Sequence, residues 1–310
     1  MRCAVTGGCG FIGTHLVQAL LRYGHSVLVV DRRISRLMNQ LSSEHPGRVM
    51  TLQEDISKAG VMWELFDSVD IIFHLAAQVD VQKSIQDPVS ALHDDLLSTV
   101  RILKAAASHS PPIRIVLASS AAVYGACGGE LEEGYASLVT PSSPYGIHKR
   151  ACEMYAEMYR TLRRLDTVCL RYFNVYGPGQ LNIQAVVPAF LLGAMRNGVV
   201  RVTGDGQQTR DFIHVQDVVE ATLKAGFSSF SGLNQVFNVG TGKPHSLLKL
   251  IDLIREVTNL HIRIEYVSSA PGDIPHSYAS LDRVKTLGWS PRVSLLEGLR
   301  DTVSYYRKMV

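Results

Sequence analysis

The feature that most constrains this chain is the alternation of short apolar runs with amphipathic stretches along its N-terminal half. Runs such as Ser26–Val30 lack polar alternation, as expected of strands that are covered on both faces. The predicted strands are Arg2–Thr6, Ser26–Val30, Val49–Leu52, Ile71–His74, Ile113–Ala118 and Thr167–Arg171, and the predicted helices lie at about 11–23, 58–68, 88–109 and 144–165. This order predicts an α/β fold with a doubly wound parallel sheet.

A glycine-rich turn joins the first predicted strand to the first predicted helix. Its glycines, Gly7, Gly10 and Gly13, recur every three residues, with Phe11 and Ile12 between the last two. Such a turn needs residues without a Cβ, because the backbone must approach a pyrophosphate and the helix must pack on the strand. The helix N-terminus favours the phosphates. The context predicts a Rossmann-type dinucleotide site.

An acidic residue, Asp31, ends the second predicted strand, 18 residues beyond Gly13. A carboxylate there accepts hydrogen bonds from the adenosine ribose and repels a 2′-phosphate, so NAD is favoured over NADP. Arg32 and Arg33 complicate this preference, since a guanidinium can hold a 2′-phosphate. Further residues stand at strand ends where the cofactor is expected to pass, although ordinary packing would also explain them: Asp55, Ile56, Leu75, Ala76 and Ala77.

The pattern changes after Arg171, where loops rich in Gly, Pro and Asn separate shorter elements. One more buried strand, Gln235–Val239, and a helix at about 216–226 are expected to return to the sheet. We therefore predict two interleaved domains: an NAD-binding Rossmann domain of residues 1–172 and 211–240, and a smaller α/β substrate-binding domain of residues 173–210 and 241–310.

Composition narrows the possible partners. The 310 residues carry a net charge of +3, and the basic residues are scattered, which argues against a nucleic-acid surface. Five cysteines without a Cys-x-x-Cys spacing support neither a metal site nor a disulfide framework. The histidines show no ligand spacing. No apolar run reaches the ~20 residues of a membrane helix and no signal peptide is evident, so a cytoplasmic protein is expected.

A tyrosine and a lysine four residues apart, Tyr145 and Lys149, begin a helix that opens with Ser143 and Pro144. Residues at this spacing share one helix face. The pKa of a free phenol is about 10, and a neighbouring ammonium is expected to lower it toward a useful base. Ser120 follows the fifth predicted strand, at the sheet edge where doubly wound folds bind ligands, and can hydrogen-bond a substrate oxygen.

Taken together, these motifs resemble the extended short-chain dehydrogenases that act on nucleotide sugars, over almost the whole chain. The residues that carry the resemblance are Gly7, Gly10, Gly13, Asp31, Ser120, Tyr145, Lys149, and the runs 171–178, 210–215 and 271–273. The resemblance implies NAD as cofactor, a nucleotide-sugar substrate such as a UDP-sugar, and Ser120, Tyr145 and Lys149 as the catalytic residues. It also implies a homodimer through the helices at about 88–109 and 144–165.

The two residues after Ser120 separate the reactions of this family. By resemblance, 4,6-dehydratases carry Asp-Glu there and decarboxylating relatives carry a Glu, whereas this chain has Ala121 and Ala122. Alanine cannot perform acid–base chemistry, which leaves hydride transfer with one base. Similar enzymes are hexose 4-epimerases, so the resemblance implies inversion at C4 through a 4-keto sugar.

The resemblance also implies a set of substrate-binding residues: Ser120, Tyr145, Asn174, Val187, Val202, Arg210, Asp273 and Ser277. The chain departs from the family pattern at Ala270, where a second arginine is usual, and at Asp95, where asparagine is usual. Leu181 replaces an arginine that UDP-glucuronate 4-epimerases tend to have, which favours a neutral hexose. Ser277 is small and near a family position whose bulk controls admission of 2-acetamido sugars, which favours acceptance of UDP-GlcNAc and UDP-GalNAc beside UDP-Glc and UDP-Gal. An ordinary loop residue would also explain it.

Two other functions stay open from the sequence. A related enzyme on the same scaffold, such as a nucleotide-sugar 4-ketoreductase or another enzyme of a specialised pathway, would consume added NAD(P)H. A non-catalytic NAD-binding scaffold would bind cofactor and turn over no nucleotide sugar.

Overall fold

A computed structural model describes residues 1–58, 67–228, 236–268 and 276–308 of the chain. The strands are β1 (Arg2–Thr6), β2 (Ser26–Asp31), β3 (Val49–Gln53), β4 (Ile71–His74), β5 (Arg114–Ser120), β6 (Gly129–Leu131), β7 (Thr167–Tyr172), β8 (Asn174–Tyr176), β9 (Val199–Thr203), β10 (Thr209–His214), β11 (Val236–Val239), β12 (Pro244–Ser246), β13 (Arg263–Val267) and β14 (His276–Ala279). Among these residues, no helix has the length and apolar character that crossing a membrane requires.

The α-helices are α1 (Phe11–Arg22), α2 (Arg36–Glu44), α3 (Val81–Gln86), α4 (Pro88–Leu92), α5 (Ser98–Ala107), α6 (Pro144–Arg163), α7 (Val186–Asn197), α8 (Val215–Phe227), α9 (Leu247–Thr258) and α10 (Leu295–Arg307). A π-helical turn, His93–Leu97, joins α4 to α5, and a 3₁₀ turn, Ala121–Tyr124, follows β5.

A seven-stranded sheet has the order β11-β7-β5-β4-β1-β2-β3. β1 is parallel to both β2 and β4, and the chain fills one side of β1 with β2 and β3 before it crosses to β4. The carboxyl end of β1 is therefore the point at which the strand order reverses, where open α/β sheets bind ligands. This arrangement confirms the predicted α/β, Rossmann-type fold class.

The strands of this sheet are buried because the sequence provides apolar side chains for both faces. On one face, Ile102 of α5 and Ala156 of α6 pack against Ile115 of β5 and Ile72 of β4 in an apolar core. Helix α6 begins as the sequence predicts, with the Ser143 hydroxyl accepting a hydrogen bond from the Gly146 N–H at 3.2 Å and Pro144 at the first helical position.

The helix predicted at about 88–109 is wrong in its middle, because the π-helical turn His93–Leu97 separates α4 from α5. The predicted helix at 58–68 lies largely outside the described residues. Helix α2 was not anticipated, since it is mostly polar, yet the Ser35 hydroxyl caps it by accepting from the Met38 N–H at 3.2 Å.

Contacts divide the chain into two compact units. One comprises residues 1–125, 140–171 and 219–237, and the other comprises residues 126–139, 172–218 and 238–310. The sequence places residues 126–139 in the predicted first domain, but β6 within that segment pairs with β14, in the second unit.

The second unit holds a sheet of order β12-β10-β14-β6, with β8 alongside β10, and a two-stranded sheet of β9 and β13. Its core forms where the apolar faces of α7, α9 and α10 meet, with Leu191, Leu250, Ile254 and Leu299 fully buried. The fold of this unit aligns Arg210 on β10 directly with Ser277 on β14.

Candidate active site

The turn after β1 has room for backbone atoms and for no side chain. Gly7 adopts a φ of +69°, and a Cβ there would lie 2.7 Å from the Ala76 nitrogen. A Cβ on Gly13 would overlap the Gly7 carbonyl oxygen. Gly10 caps α1 with no side-chain hydrogen bond, so no side chain of the cap competes for the N–H groups of the first turn, which includes Phe11 and Ile12. These features fit a pyrophosphate at the helix N-terminus.

The carboxylate of Asp31 is held at the end of β2. It accepts hydrogen bonds from the Cys9 N–H at 3.0 Å and the Arg33 N–H at 3.2 Å. The adjacent guanidinium of Arg32 pairs with the carboxylate of Asp94 and lies 3.4 Å from that of Asp55. Two carboxylates therefore engage Arg32, which lessens its availability for a 2′-phosphate and supports a ribose with free hydroxyls at Asp31.

The other residues predicted at the cofactor site lie at neighbouring strand ends. The Leu75 N–H donates to the Thr6 carbonyl at 3.1 Å, which brings the segment of Leu75, Ala76 and Ala77 beside the glycine turn. The Asp55 carboxylate accepts from the Ser57 N–H and hydroxyl at 2.9 and 2.7 Å. Although burial opposes it, these bonds and Arg32 lower the pKa of Asp55. Ile56 is buried.

Tyr145 and Lys149 lie buried on the same face of α6. The Lys149 ammonium donates to the Ala118 carbonyl at 2.8 Å and lies 5.8 Å from the centre of the Tyr145 ring. The Tyr145 N–H, in the first turn of α6, donates to the hydroxyl of the buried Ser84 at 3.2 Å. Ser84 thus positions the start of the helix that carries Tyr145 and Lys149, and nothing in its sequence context indicated this role.

Ser120 ends β5 and caps the 3₁₀ turn, where its hydroxyl accepts from the Ala122 N–H at 3.1 Å. Ser120 also acts on the Tyr145 phenol, whose pKa it lowers against the larger effect of burial. The structure therefore brings together all three residues that the sequence selected as catalytic. Ala121 and Ala122 occupy the turn itself, so their positions contribute no ionisable group beside Ser120.

The pKa of Tyr145 differs in direction from the sequence-based expectation. Burial raises it, and this effect outweighs the lowering by the Lys149 charge and the Ser120 hydrogen bond. The sequence identified the neighbour that favours the phenolate, but the cost of desolvating a phenolate depends on tertiary packing. Burial opposes the charged form of Lys149 too, yet the pKa of Lys149 is raised, because Tyr145 and Asp95 favour the ammonium.

A buried ion pair supports the same helix. The Arg171 guanidinium donates to the Glu153 carboxylate at 2.8 and 2.7 Å and to the Tyr124 hydroxyl at 2.9 Å. Glu153 also accepts from the Ser119 hydroxyl at 2.6 Å. Sequence reasoning missed Glu153, although it follows Lys149 by the same four-residue step that separates Lys149 from Tyr145, which marks one helix face.

Besides Ser120 and Tyr145 of the first unit, the predicted substrate residues that the structure describes fall in two groups within the second unit. Asn174 donates its amide to the Asp211 carbonyl at 3.3 Å, and Asp211 follows Arg210 on β10, the strand aligned with Ser277. Val187 and Val202, by contrast, are buried in the apolar core of the unit, where packing accounts for both. Substrate contact through them stays a prediction. Asp273 and Ala270 lie outside the described residues.

Asp211 organises the second unit around these residues. Its carboxylate accepts from the N–H groups of Thr241, Gly242 and Ala279 at 2.7, 2.9 and 3.1 Å, and from the Thr241 hydroxyl. The bond to Ala279 fixes β14, the strand that carries Ser277. The sequence marked this aspartate only as part of the run 210–215.

The histidines that suggest a metal at first sight are dispersed. His74 bonds the hydroxyls of Thr6 and Thr99 at 2.7 and 3.1 Å, and burial lowers its pKa to about 3. His148 lies on α6, and His214 contacts the Tyr176 ring at the end of β10. Within the described part of the chain, no three His, Cys, Asp or Glu side chains group as a metal site would require.

Comparison with known protein families decides the family assignment. Residues 3–240 match the sequence model of the NAD-dependent epimerase/dehydratase family. The chain belongs to this family. NAD is accordingly the cofactor that its site is built for, as the sequence predicts, and the glycine turn, the uncapped start of α1 and the fixed Asp31 carboxylate all fit that group.

Relatives and solved structures share the whole fold. The UDP-glucose 4-epimerase of Mycolicibacterium smegmatis is 35% identical, over 99% of both chains. Two solved structures cover 100% of this chain and 99% of their own: the Thermotoga maritima UDP-glucose 4-epimerase with UDP-glucose (33% identity, TM-score 0.89) and the Methanobrevibacter ruminantium UDP-N-acetylglucosamine 4-epimerase in complex with UDP-N-acetylmuramic acid (30%, TM-score 0.91). A UDP-sugar decarboxylase and a UDP-glucuronate 4-epimerase match at 29% and 28% identity. Sequence similarity to relatives therefore does not identify the sugar of the substrate.

Proposed function

We propose that this protein inverts C4 of a UDP-activated hexose through a 4-keto intermediate. The observation that carries the proposal is the assembly of Ser120, Tyr145 and Lys149 beside a 3₁₀ turn that holds Ala121 and Ala122. The site has one candidate base and no carboxylate in that turn to remove a proton from C5 or to assist decarboxylation. One base and a hydride carrier are sufficient for epimerisation.

In this mechanism, Tyr145 takes the proton of the C4 hydroxyl and later returns it. The glycine turn, Asp31 and Lys149 would hold NAD, which would supply the hydride acceptor and donor for C4 when bound. The Ser120 hydroxyl donates a hydrogen bond to the C4 oxygen as charge develops there. Lys149 keeps its ammonium beside the Tyr145 ring and stabilises the phenolate. The 4-keto sugar rotates in the site before the hydride returns to its other face.

The proposed substrate is a UDP-sugar with a neutral hexose. Asn174, Arg210 and Asp273 are assigned to the nucleoside diphosphate, for which a guanidinium is suited. Leu181 is exposed and cannot pair with a hexuronate carboxylate. Ser277, aligned with Arg210, is small, which supports acceptance of a 2-acetamido group and of UDP-GlcNAc beside UDP-Glc.

We also propose a homodimer through α4 and α6. Both helices expose large apolar side chains, a pattern that marks protein interfaces. Those side chains are Val89, Leu92, Ile147, Met154, Tyr155, Met158 and Leu162. A second copy of the same surface would bury them in an isologous contact.

Product analysis tests the proposed reaction. Purified protein is incubated separately with UDP-glucose, UDP-GlcNAc and UDP-glucuronate without added cofactor, and products are resolved by chromatography and NMR. We expect the C4 epimer of the first two and none from UDP-glucuronate. Tyr145→Phe should lower kcat by about 100-fold or more, because the base is removed without change of shape. A dehydrated or decarboxylated product, or a strict need for added NAD(P)H, would contradict the proposal.

A further inference from the structure

The π-helical turn His93–Leu97 places a carboxylate beside the catalytic helix. Asp95, within this turn, is 1% exposed, and one of its oxygens, Oδ1, accepts from the Gln78 N–H at 2.7 Å. Gln78 directly follows the segment 75–77 that packs on the glycine turn. The turn is stabilised locally, because the hydroxyls of Ser98 and Thr99 each donate to a carbonyl of the turn at 2.6 Å. A widened turn of this kind often marks a functional site.

The second oxygen of Asp95 points to α6. Oδ2 lies 3.5 Å from Nδ1 of His148, the residue immediately before Lys149. Both atoms are fully buried, and neither has a hydrogen-bond partner within the described residues. A buried carboxylate oxygen without a full hydrogen bond is costly, and it is seldom retained without a function.

The charges around Asp95 define what its carboxylate acts on. On α6, His148 lies 3.5 Å from the carboxylate, and the Cys152 thiol donates to the Asp95 carbonyl at 3.6 Å. The Asp95 charge also acts on Lys149 and Tyr145 of the same helix. From β4, the neutral His74 reaches the same turn through the Thr99 hydroxyl. Helix α5 carries Arg101 and Lys104, and α4 carries no titratable side chain. The Asp95 charge therefore favours the buried ammonium of Lys149 and opposes the phenolate of Tyr145.

We propose that Asp95 is a positioning residue, whose buried carboxylate is held against α6 at His148 and acts from there on the charge balance between Lys149 and Tyr145. The ammonium favours the phenolate of Tyr145, and the carboxylate opposes it. Such a balance suits a group that must release its proton as readily as it takes one. The catalytic consequence rests on the proposed function of Tyr145, but the electrostatic part does not.

The direction of the effect follows from the charges. Burial raises the pKa of Asp95, while Lys149, the Gln78 N–H and His148 lower it. An ionised Asp95 places a negative charge near Tyr145 and so raises the pKa of Tyr145. Removing this charge in Asp95→Asn should therefore lower the apparent pKa of Tyr145 by about one unit, the lower end of effects seen for nearby charges.

The experiment is an ultraviolet difference titration of tyrosinate in the protein as purified with its cofactor. The spectrum of a matching Tyr145→Phe variant is subtracted in each background, so that only Tyr145 is followed. Asp94→Asn is the matched control, because it makes the same change one residue away, at an acid paired with Arg32. We expect the Tyr145 titration to move to lower pH in Asp95→Asn and to stay unchanged in Asp94→Asn.

Activity provides a second readout. The rising limb of kcat against pH should move to lower pH in Asp95→Asn by the same amount. If that variant does not fold, as judged by circular dichroism, Asp95→Ser is used, since its hydroxyl can still accept from Gln78. A tyrosinate titration that stays in place, or one that moves equally in Asp94→Asn, would overturn the proposal. A titration that moves in a protein that epimerises no nucleotide sugar would overturn only the proposed function.

Discussion

The buried pair of Glu153 and Arg171 offers a sharp test of how α6, the helix that carries Tyr145 and Lys149, is held. The change is Glu153→Ala, which removes the acceptor of two Arg171 bonds of 2.8 and 2.7 Å and of the Ser119 bond of 2.6 Å. Both charged side chains are 2% exposed, so water cannot replace the lost carboxylate. Breaking a buried pair by removing one partner costs about 3–5 kcal/mol. We therefore expect the free energy of unfolding to fall by about 4 kcal/mol.

The assay is urea unfolding followed by far-ultraviolet circular dichroism, with NAD in equal excess so that ligand binding contributes alike to each variant. The matched control is Glu157→Ala, one turn further along α6. The side chain of Glu157 is 73% exposed, and its ion pair with Arg160 spans 3.6 Å. Surface pairs of this kind contribute little, so its loss should stay within about 0.5 kcal/mol.

A double variant separates charge burial from helix packing. Replacing Glu153 and Arg171 together by methionine removes both buried charges and keeps apolar volume, a change that is often close to neutral. We expect it to recover most of the stability lost in Glu153→Ala. A loss below about 1 kcal/mol in Glu153→Ala, or a loss equal to that of the Glu157 control, would refute the reasoning.

Three further predictions test the other parts of the account. Gly13→Ala should abolish retention of NAD through purification, because the new Cβ would overlap the Gly7 carbonyl oxygen. Release of stoichiometric NAD on denaturing this variant would contradict the assignment of the glycine turn to NAD. Met158→Glu, on the exposed apolar face of α6, should yield a monomer by light scattering at micromolar concentration, whereas an intact dimer would exclude this face as the interface. Ser277→Tyr should lower kcat/KM for UDP-GlcNAc by at least tenfold more than for UDP-glucose, since added bulk excludes the acetamido group, and equal losses would remove Ser277 from the specificity argument.

Much of the fold follows from local signals in the sequence. The bounds predicted for β1 and β4 agree with the structure, because each is a short apolar run that both faces of the sheet bury. The break between α4 and α5 could not be predicted from apolar runs. The hydroxyls of Ser98 and Thr99 donate to backbone carbonyls of this π-helical turn. Hydrophobic periodicity does not report such hydrogen bonds, so it could not predict the turn.

Some features of the candidate site could likewise be predicted from local sequence, and others required the fold. Local position together with the family resemblance identified Ser120, Tyr145 and Lys149, since a strand end and a helix face are properties of local sequence. The raised pKa of Tyr145 could not be anticipated, because burial is decided by residues distant in the chain. Asp95 stood out only as a departure from a family pattern. Its contact with His148 required the fold, which packs the π-helical turn against α6.

The most direct test of the central claim is the fate of the C4 hydrogen during turnover in D₂O. Purified protein is incubated with UDP-glucose and with UDP-GlcNAc, without added cofactor, and the products are examined by NMR. The account predicts a C4-inverted sugar that carries no deuterium at C4, because the hydride leaves and returns within the site. Deuterium at C4, or a keto or unsaturated sugar as the product, would contradict epimerisation through one base and an enclosed hydride transfer.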